Sequence, residues 1–212
     1  MKGSLVNIKS NSIEEIDLPD RFFSRDVNKY LLYLAVKRHL ANMRRGTADT
    51  QERGDVDYST RKVRPQKGTG RSRQGARTSN IWKGGAVVFG PHPRDFSLKM
   101  NKKERRNAIF SALSSRMKDG DIYIVEGFNA SGKTKEFRET INKVSEISKK
   151  NLGTILFVFS EENGEIERAS RNLPYCSAIN FRYLNAYALT LFDSIVISKE
   201  AVEGIERWWP ND

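Results

Sequence analysis

The sequence predicts an α/β fold, a three-layer mostly parallel sheet flanked by helices, with a long extended basic loop inserted near the N-terminal third. Two observations predict it. After residue 100, apolar runs of strand length alternate with segments of helical periodicity. Residues 44 to 80, in contrast, carry almost no apolar side chains and are interrupted by glycines, so they cannot form a core. We therefore expect one globular domain from residues 1–44 and 91–212, and an extended loop over 45–90.

The first elements follow from spacing and from helix-ending residues. Apolar residues recur at helical spacing over about 25–43, which predicts an amphipathic helix that leads into the loop. Beyond the loop, Asn101 is a suitable N-cap and Gly120 a suitable stop for a second helix. The apolar run at 122–125 then has the length of a strand.

The rest of the chain continues the alternation. A helix is predicted from about Phe137 to Lys150, and the uninterrupted apolar run 154–159 is typical of a parallel strand buried on both faces. A short helix at 165–172, a strand at 194–197 and a final helix at 199–207 complete the pattern. This order predicts a mostly parallel sheet covered by helices.

The positive charge of the chain is concentrated in one window. Seventeen of the 37 lysines and arginines lie between Arg44 and Arg106, against six of the 26 acids, so the remainder of the chain has twenty of each. The whole net charge of +11 therefore belongs to that window. A basic segment without a core favours binding to a polyanion, most often a nucleic acid, because ordering it releases counterions. The alternative is a solvated, disordered surface loop.

Composition excludes several classes of site. A single cysteine, Cys176, excludes an internal disulfide and is expected to be a buried thiol, and two histidines leave little material for a metal site. No apolar run approaches the length of a signal peptide or a membrane span. We expect a cytoplasmic protein with no membrane contact, no metal and no cofactor.

One motif supports a different function. Residues Gly127 to Thr134 match the phosphate-loop pattern G-x-x-x-x-G-K-[ST] between a predicted strand and a predicted helix. Lys133 would then bind the outer phosphates and the Thr134 hydroxyl would bind magnesium. Against this, no carboxylate directly ends a neighbouring predicted strand, and Asp193 is a weak substitute. The structural alternative is a helix capped by Asn129 or Ser131.

The loop itself carries a more specific pattern. In order it contains Arg44-Arg45-Gly46-Thr47, Arg53-Gly54-Asp55-Val56, Gln66-Lys67-Gly68-Thr69-Gly70-Arg71-Ser72-Arg73, Trp82-Lys83-Gly84-Gly85, Phe89-Gly90-Pro91 and Pro93-Arg94-Asp95. This succession closely resembles the large-subunit ribosomal protein L-four family, and the match runs in order from about Ala41 to Leu113.

The resemblance implies a structural constituent of the large ribosomal subunit. Members of this family have an α/β domain on the solvent side of the subunit, and a loop that penetrates the ribosomal RNA. The loop tip lines the nascent-peptide exit tunnel, and the protein acts early in subunit assembly. The expected partners are therefore large-subunit ribosomal RNA, neighbouring large-subunit ribosomal proteins and the nascent peptide. No catalytic residue is expected, and the Gly127 to Thr134 match is then coincidental.

The expected RNA-binding residues are cations with a few glycines and one tryptophan. In chain order they are Arg44, Arg45, Arg53, Arg61, Lys62, Arg64, Lys67, Gly68, Gly70, Arg71, Arg73, Arg77, Trp82, Lys83, Arg94, Lys99, Lys102, Lys103, Arg105 and Arg106. Arg61, Lys62 and Arg64 fall where the family places the tunnel tip, although many relatives have tryptophan in place of Arg64. Trp82 either stacks on a base or anchors the loop. The cations from Lys99 to Arg106 crowd a helix N-terminus, where the macrodipole favours phosphate over cations.

Overall fold

The computed structural model describes residues 1–8, 10–128, 132–160 and 164–209. It divides the chain into two compact units, Met1–His39 with Lys99–Asp212, and Leu40–Leu98. We call the first the body and the second the loop unit. The boundaries predicted from the sequence, after residues 44 and 90, lie inside the loop unit.

The helices and strands are, in chain order, β1 (Lys2–Asn7), β2 (Ser12–Asp17), α1 (Asp20–Phe23), α2 (Lys29–Met43), α3 (Lys102–Lys118), β3 (Ile122–Glu126), α4 (Thr134–Ser148), β4 (Ile155–Phe159), α5 (Glu165–Ser170), β5 (Cys176–Asn180), a 3₁₀ turn (Phe181–Tyr183), α6 (Ala186–Leu191), β6 (Ser194–Ser198) and α7 (Lys199–Trp208). Residues 44–101, all of them described, form neither helix nor strand.

The described strands form one six-stranded sheet in the order β2-β1-β3-β6-β4-β5. Only β1 and β2 are antiparallel, and the other neighbours pair in parallel. Every residue of β4 and β6 is buried, as expected for interior strands covered on both faces. The predicted α/β sheet flanked by helices is confirmed.

Side chains that alternate along the strands form a hydrophobic core on each face of the sheet. On one face, Ile195 and Ile197 of β6 pack with residues of α1, α3, α6 and α7. On the other face, Val196 packs with residues of α4 and α5, among them Phe137 and Ile166. The body therefore has three layers, helices on either side of the sheet, and its core contains no residue of the loop unit.

Two buried serines of α3 fix the segment between α1 and α2. The Ser114 hydroxyl accepts a hydrogen bond from the Arg25 backbone N–H at 2.9 Å and donates to the Phe22 carbonyl at 3.2 Å. The Ser111 hydroxyl accepts from the Asn28 backbone N–H at 2.7 Å. Buried backbone groups outside a helix are costly unless paired, so these hydroxyls set where α1 ends and α2 begins.

Three strands lack a clear signal in the sequence. β1 and β2 form the antiparallel edge of the sheet, where lysine, serine and glutamate occupy most exposed positions. β5 is the opposite edge strand, with the sequence Cys-Ser-Ala-Ile-Asn, and Ile179 is its one large apolar residue. Edge strands need less apolar surface than interior ones, so a search for apolar runs misses β2 and β5. β1 lies between β2 and β3, but its buried large apolar residues are only Leu5 and Val6, a run too short to be recognised as a strand.

One strained backbone position gives a stability prediction. Lys149 ends α4 with a φ of +52°, a left-handed conformation in which a Cβ atom is unfavourable. We expect Lys149→Gly to unfold at higher urea concentration than Lys149→Ala, with a difference of about 0.5–1 kcal/mol. The alanine variant is the matched control, because it removes the same side chain and charge but keeps Cβ. Equal midpoints for the two variants would contradict this account.

Candidate nucleic-acid interface

Backbone hydrogen bonds within the loop unit join its outgoing and returning parts. They run from the N–H of Arg94 to Gly46, of Val87 to Gln51 and of Val63 to Gly75, with N–O distances of 3.1, 3.1 and 3.2 Å. The chain therefore runs out and back in register, and it reverses between residues 63 and 75. Gly46 is required in this pairing, because a Cβ atom there would lie 2.0 Å from the Arg94 carbonyl oxygen.

Side chains reinforce the same pairing. The His92 ring lies between two carboxylates of the outgoing part, with Nδ1 3.0 Å from Asp49 and Nε2 3.2 Å from Glu52. The Thr50 hydroxyl donates to the Pro91 carbonyl at 3.2 Å. Asp49 and Glu52, two of the few acids of the loop unit, are therefore in contact with a residue of the loop unit itself.

Two of the expected RNA-binding arginines are held by one aromatic ring. The guanidinium carbons of Arg44 and Arg94 lie 4.0 and 4.3 Å from the centre of the Phe96 ring. Cation–π packing fixes the plane of a guanidinium and leaves its N–H donors available. Both arginines are thus positioned to donate hydrogen bonds to an anion.

The loop unit contains twelve lysines and arginines and five acids. None of these twelve cations forms an ion pair with a carboxylate in the part of the chain that the structure describes. The Asp95 carboxylate accepts from the backbone and hydroxyl of Ser97, and the first of these bonds lowers the pKa of Asp95 most. In the body, by contrast, four lysines pair with described carboxylates, for example Lys199 with Glu126 at 2.7 Å. The uncompensated charge makes the loop unit a candidate surface for binding an anion.

The predicted tip residues lie together at the reversal of the loop. Arg61, Lys62 and Arg64 line one open cavity, and the Lys62 ammonium donates to the Gln66 side chain. The Arg64 guanidinium lies 6.0 Å from the Trp82 ring. Gly68 and Gly70 have positive φ angles, and no atom would meet a Cβ atom placed on either. The tip is therefore an exposed basic surface with permissive backbone.

Apolar side chains are also exposed on the loop unit. Ile81, Val87, Val88 and Phe89 are exposed, and the Phe89 side chain is fully accessible. Phe89 also adopts a φ of +50°. Adjacent exposed apolar residues of this kind mark a surface that a partner covers.

A second basic group lies at the beginning of α3. Lys99, Lys102, Lys103 and Arg105 are exposed and form no ion pair with a described carboxylate. Glu104 supplies one acid in the first turn, and its carboxylate accepts from the Asn101 backbone N–H at 3.2 Å. One capping carboxylate leaves most of this charge uncompensated.

The structure also brings together residues that sequence reasoning missed. Within the body, a groove of 640 Å³ is lined by the basic start of α3 and by Arg38, His39, Arg182, Tyr187 and Trp208. These five come from α2, from the 3₁₀ turn, from α6 and from α7. No local pattern could have predicted them, because only the fold makes them neighbours.

Asp193, the carboxylate that the sequence offers to the phosphate-loop motif, does not lie beside that motif. Residues 129–131, including the two proposed capping residues, lie outside the described part of the chain. The Lys133 ammonium lies 3.3 Å from Glu136. Asp193 precedes β6, and its carboxylate accepts hydrogen bonds from the backbone N–H and the hydroxyl of Thr154. The first of these two bonds is the main cause that lowers the pKa of Asp193. Because β3 and β6 are parallel, Asp193 lies at the edge of the sheet opposite the motif.

The remaining candidate groups are the single thiol and the possible ligands of a metal ion. Burial raises the pKa of the Cys176 thiol to about 12, so the thiol stays protonated near neutral pH. Among the described residues, no group of three or more histidine, cysteine or acidic side chains is arranged to hold a metal ion. No described helix is both long and apolar enough to cross a bilayer.

Comparison with known proteins gives a consistent result. A family model described as "Ribosomal protein L4/L1 family" matches residues 16–208. The large ribosomal subunit protein uL4 of Lachnospira eligens is 39% identical over 205 residues, which cover 96% of this chain and 97% of that protein. The uL4 protein of Pelotomaculum thermopropionicum is 37% identical over 205 residues, which cover 96% of this chain and 97% of that protein. The uL4 protein of Carboxydothermus hydrogenoformans is 38% identical over 207 residues, which cover 97% of this chain and 98% of that protein.

The unpaired cations of the loop predict a specific salt dependence. We expect the triple variant Lys67→Gln, Arg71→Gln and Arg73→Gln to bind poly(U) RNA with a log-log salt slope that is smaller by about two, since each lost phosphate contact removes about 0.7. The matched control is Lys135→Gln, Arg138→Gln and Lys143→Gln, which removes the same charge from exposed positions of α4. Equal reductions in slope for both triples would show a general charge effect and would contradict a localised surface.

Proposed function

The chain belongs to the ribosomal protein L4/L1 family, and on that premise we propose that it is a structural constituent of the large ribosomal subunit that binds large-subunit ribosomal RNA. It is not an enzyme, because the family is structural, and its place is the ribosome in the cytoplasm. Its partners are ribosomal RNA and neighbouring ribosomal proteins of the large subunit.

The observation that carries this function is the uncompensated charge of the loop unit. Twelve cations have no carboxylate partner among the described residues, and they lie on two backbone segments that pair with each other, so they require an anion along their length. RNA provides phosphates at regular spacing, and folded RNA provides them on both sides of a penetrating loop. The exposed apolar residues Ile81 and Phe89 would be covered in the same complex.

We also propose that residues 45–90 take an extended form in the ribosome and that the tip of this loop has a role of its own. If residues 46–80 of this segment run out and back through RNA, about seventeen residues in each direction could extend some 55 Å at roughly 3.3 Å per residue. Arg61, Lys62 and Arg64 would then reach the exit tunnel and contact the nascent peptide. Early binding of this loop would order the RNA around it, which is the basis of the proposed role in assembly.

Fractionation tests membership of the subunit. In a sucrose gradient of native lysate, in high salt with magnesium retained, we expect the chain to co-migrate with the large subunit. Confinement to the free fractions would refute the proposed function.

Deletion tests the role of the loop. We expect removal of residues 56–78 to leave the body folded, because neither core cluster contains a residue from this range. Incorporation into large subunits should fall, since most loop cations are lost. The measurement is the ratio of subunit-bound to free protein, with circular dichroism as the folding control. Unchanged incorporation would count against an assembly role for the loop.

Crosslinking tests the tunnel proposal. A photoreactive p-benzoylphenylalanine in place of Lys62 should crosslink to a radiolabelled, arrested nascent peptide in translating ribosomes. The same replacement at Lys143, an exposed residue of α4, is the control and should give no peptide adduct. A tip that crosslinks only to RNA would exclude contact with the nascent chain while leaving RNA binding intact.

A further inference from the structure

The groove in the body is positively charged and has the size of a small-ligand site. Six of its lining residues are cations, namely Arg38, Lys102, Lys103, Arg105, Arg106 and Arg182, and none of the described residues that line it is acidic. Its volume of 640 Å³ lies in the range of sites that enclose a small ligand, and is too small for a nucleic-acid duplex. An anion of nucleotide dimensions matches both properties.

Aromatic rings line the same groove. The rings of His39 and Tyr187 stack with centroids 4.6 Å apart and an interplanar angle of 19°. Trp208 is 51% exposed, and the Arg182 guanidinium carbon lies 5.6 Å from the centre of its ring. A half-exposed indole beside a guanidinium is a surface on which a nucleic-acid base can stack. An acidic peptide would gain nothing comparable from these rings.

The groove also contains a buried hydrogen-bond donor that has no acceptor among the described residues. The Nε atom of Arg38, in α2, is buried and has no hydrogen-bond partner among the described residues. A buried donor without an acceptor is costly, and a phosphate or base oxygen in the groove would provide one. Charge, aromatic surface and this donor point to the same class of ligand.

We propose that this groove binds an unpaired nucleotide segment of RNA, with a base on Trp208 and the adjoining phosphates on the first turn of α3. The inference rests on the proposed function, because it adds a second RNA contact to a ribosomal protein that already binds RNA through its loop. It assigns binding roles to Arg38, Arg182, Trp208 and the stacked pair His39 and Tyr187. The loop supplies phosphate contacts along a path, whereas the groove selects a single-stranded base.

The test compares two ligands that differ only in their bases. Fluorescein-labelled oligoadenylate and an abasic oligomer of the same length are titrated with the full chain at about 0.15 M salt, where exposed phosphate contacts are partly screened. We expect oligoadenylate to bind at least about fivefold more tightly, because stacking of one base contributes about 1 kcal/mol or more. Equal affinities for the two oligomers would overturn the proposal.

Variants locate the preference in the groove. Trp208→Ala should remove most of the preference for oligoadenylate, and Trp208→Phe should restore part of it. The matched control is Tyr183→Ala, which removes an aromatic side chain that is 74% exposed nearby but does not line the groove. Trp209 is unsuitable for substitution, because its ring packs against the core residue Phe110 at 5.5 Å. A preference that persists in Trp208→Ala would overturn the proposal.

Two further readouts separate the alternatives. Displacement of oligoadenylate from the wild-type chain by oligoglutamate, at equal charge concentration and as effectively as by unlabelled oligoadenylate, would identify an acidic peptide as the occupant and overturn the proposal. Co-migration of the Trp208→Ala chain with the large subunit measures the proposed function separately. If wild type fails in the oligonucleotide test but enters the subunit, only the groove proposal fails.

Discussion

The rest of this molecule depends on positive charge that the chain itself does not neutralise. The loop unit uses Asp49 and Glu52 on His92, and Asp95 on Ser97, so its few acids support internal structure and leave the arginines and lysines free of carboxylates. Such an arrangement opposes compaction in isolation, and backbone pairing, His92 and the Phe96 ring hold the two parts of the loop together against this repulsion. An RNA partner relieves the repulsion, so the same feature that weakens the free protein strengthens the complex.

The body had to be complete without the loop for this arrangement to work. Its two cores use only residues of the body, and serines of α3 satisfy the backbone between α1 and α2. The interior strands β4 and β6 could therefore be predicted from sequence, because each is buried throughout and carries a run of apolar residues. The strands β1, β2 and β5 could not, because β2 and β5 are edge strands with few apolar residues, and β1, which lies between β2 and β3, has only Leu5 and Val6 as buried large apolar residues.

The same distinction applies to the interface. The cations of the loop and of the start of α3 are close in sequence, so charge counting alone locates them. The body groove is assembled from α2, α3, the 3₁₀ turn, α6 and α7, so no window of sequence contains it. His39 illustrates the point, since in the sequence it is one of two isolated histidines, and in the structure it stacks on Tyr187, well over a hundred residues away in the chain. Sequence thus predicts contiguous electrostatic surfaces better than surfaces built by packing.

The groove was missed because no local pattern encodes it, whereas the phosphate-loop motif is a local pattern that suggests a site that the fold does not support. Phosphate loops act with a carboxylate at the same end of the sheet, because metal and phosphates must meet there. Here the motif follows β3, whereas Asp193 precedes β6, a parallel neighbour, and therefore lies at the other end. Asp193 has instead a structural partner in Thr154, whose backbone and hydroxyl join the start of β4 to that of β6. A motif of a few residues specifies chemistry only when the topology supplies the partner groups, and here the topology places Asp193 at the opposite end of the sheet.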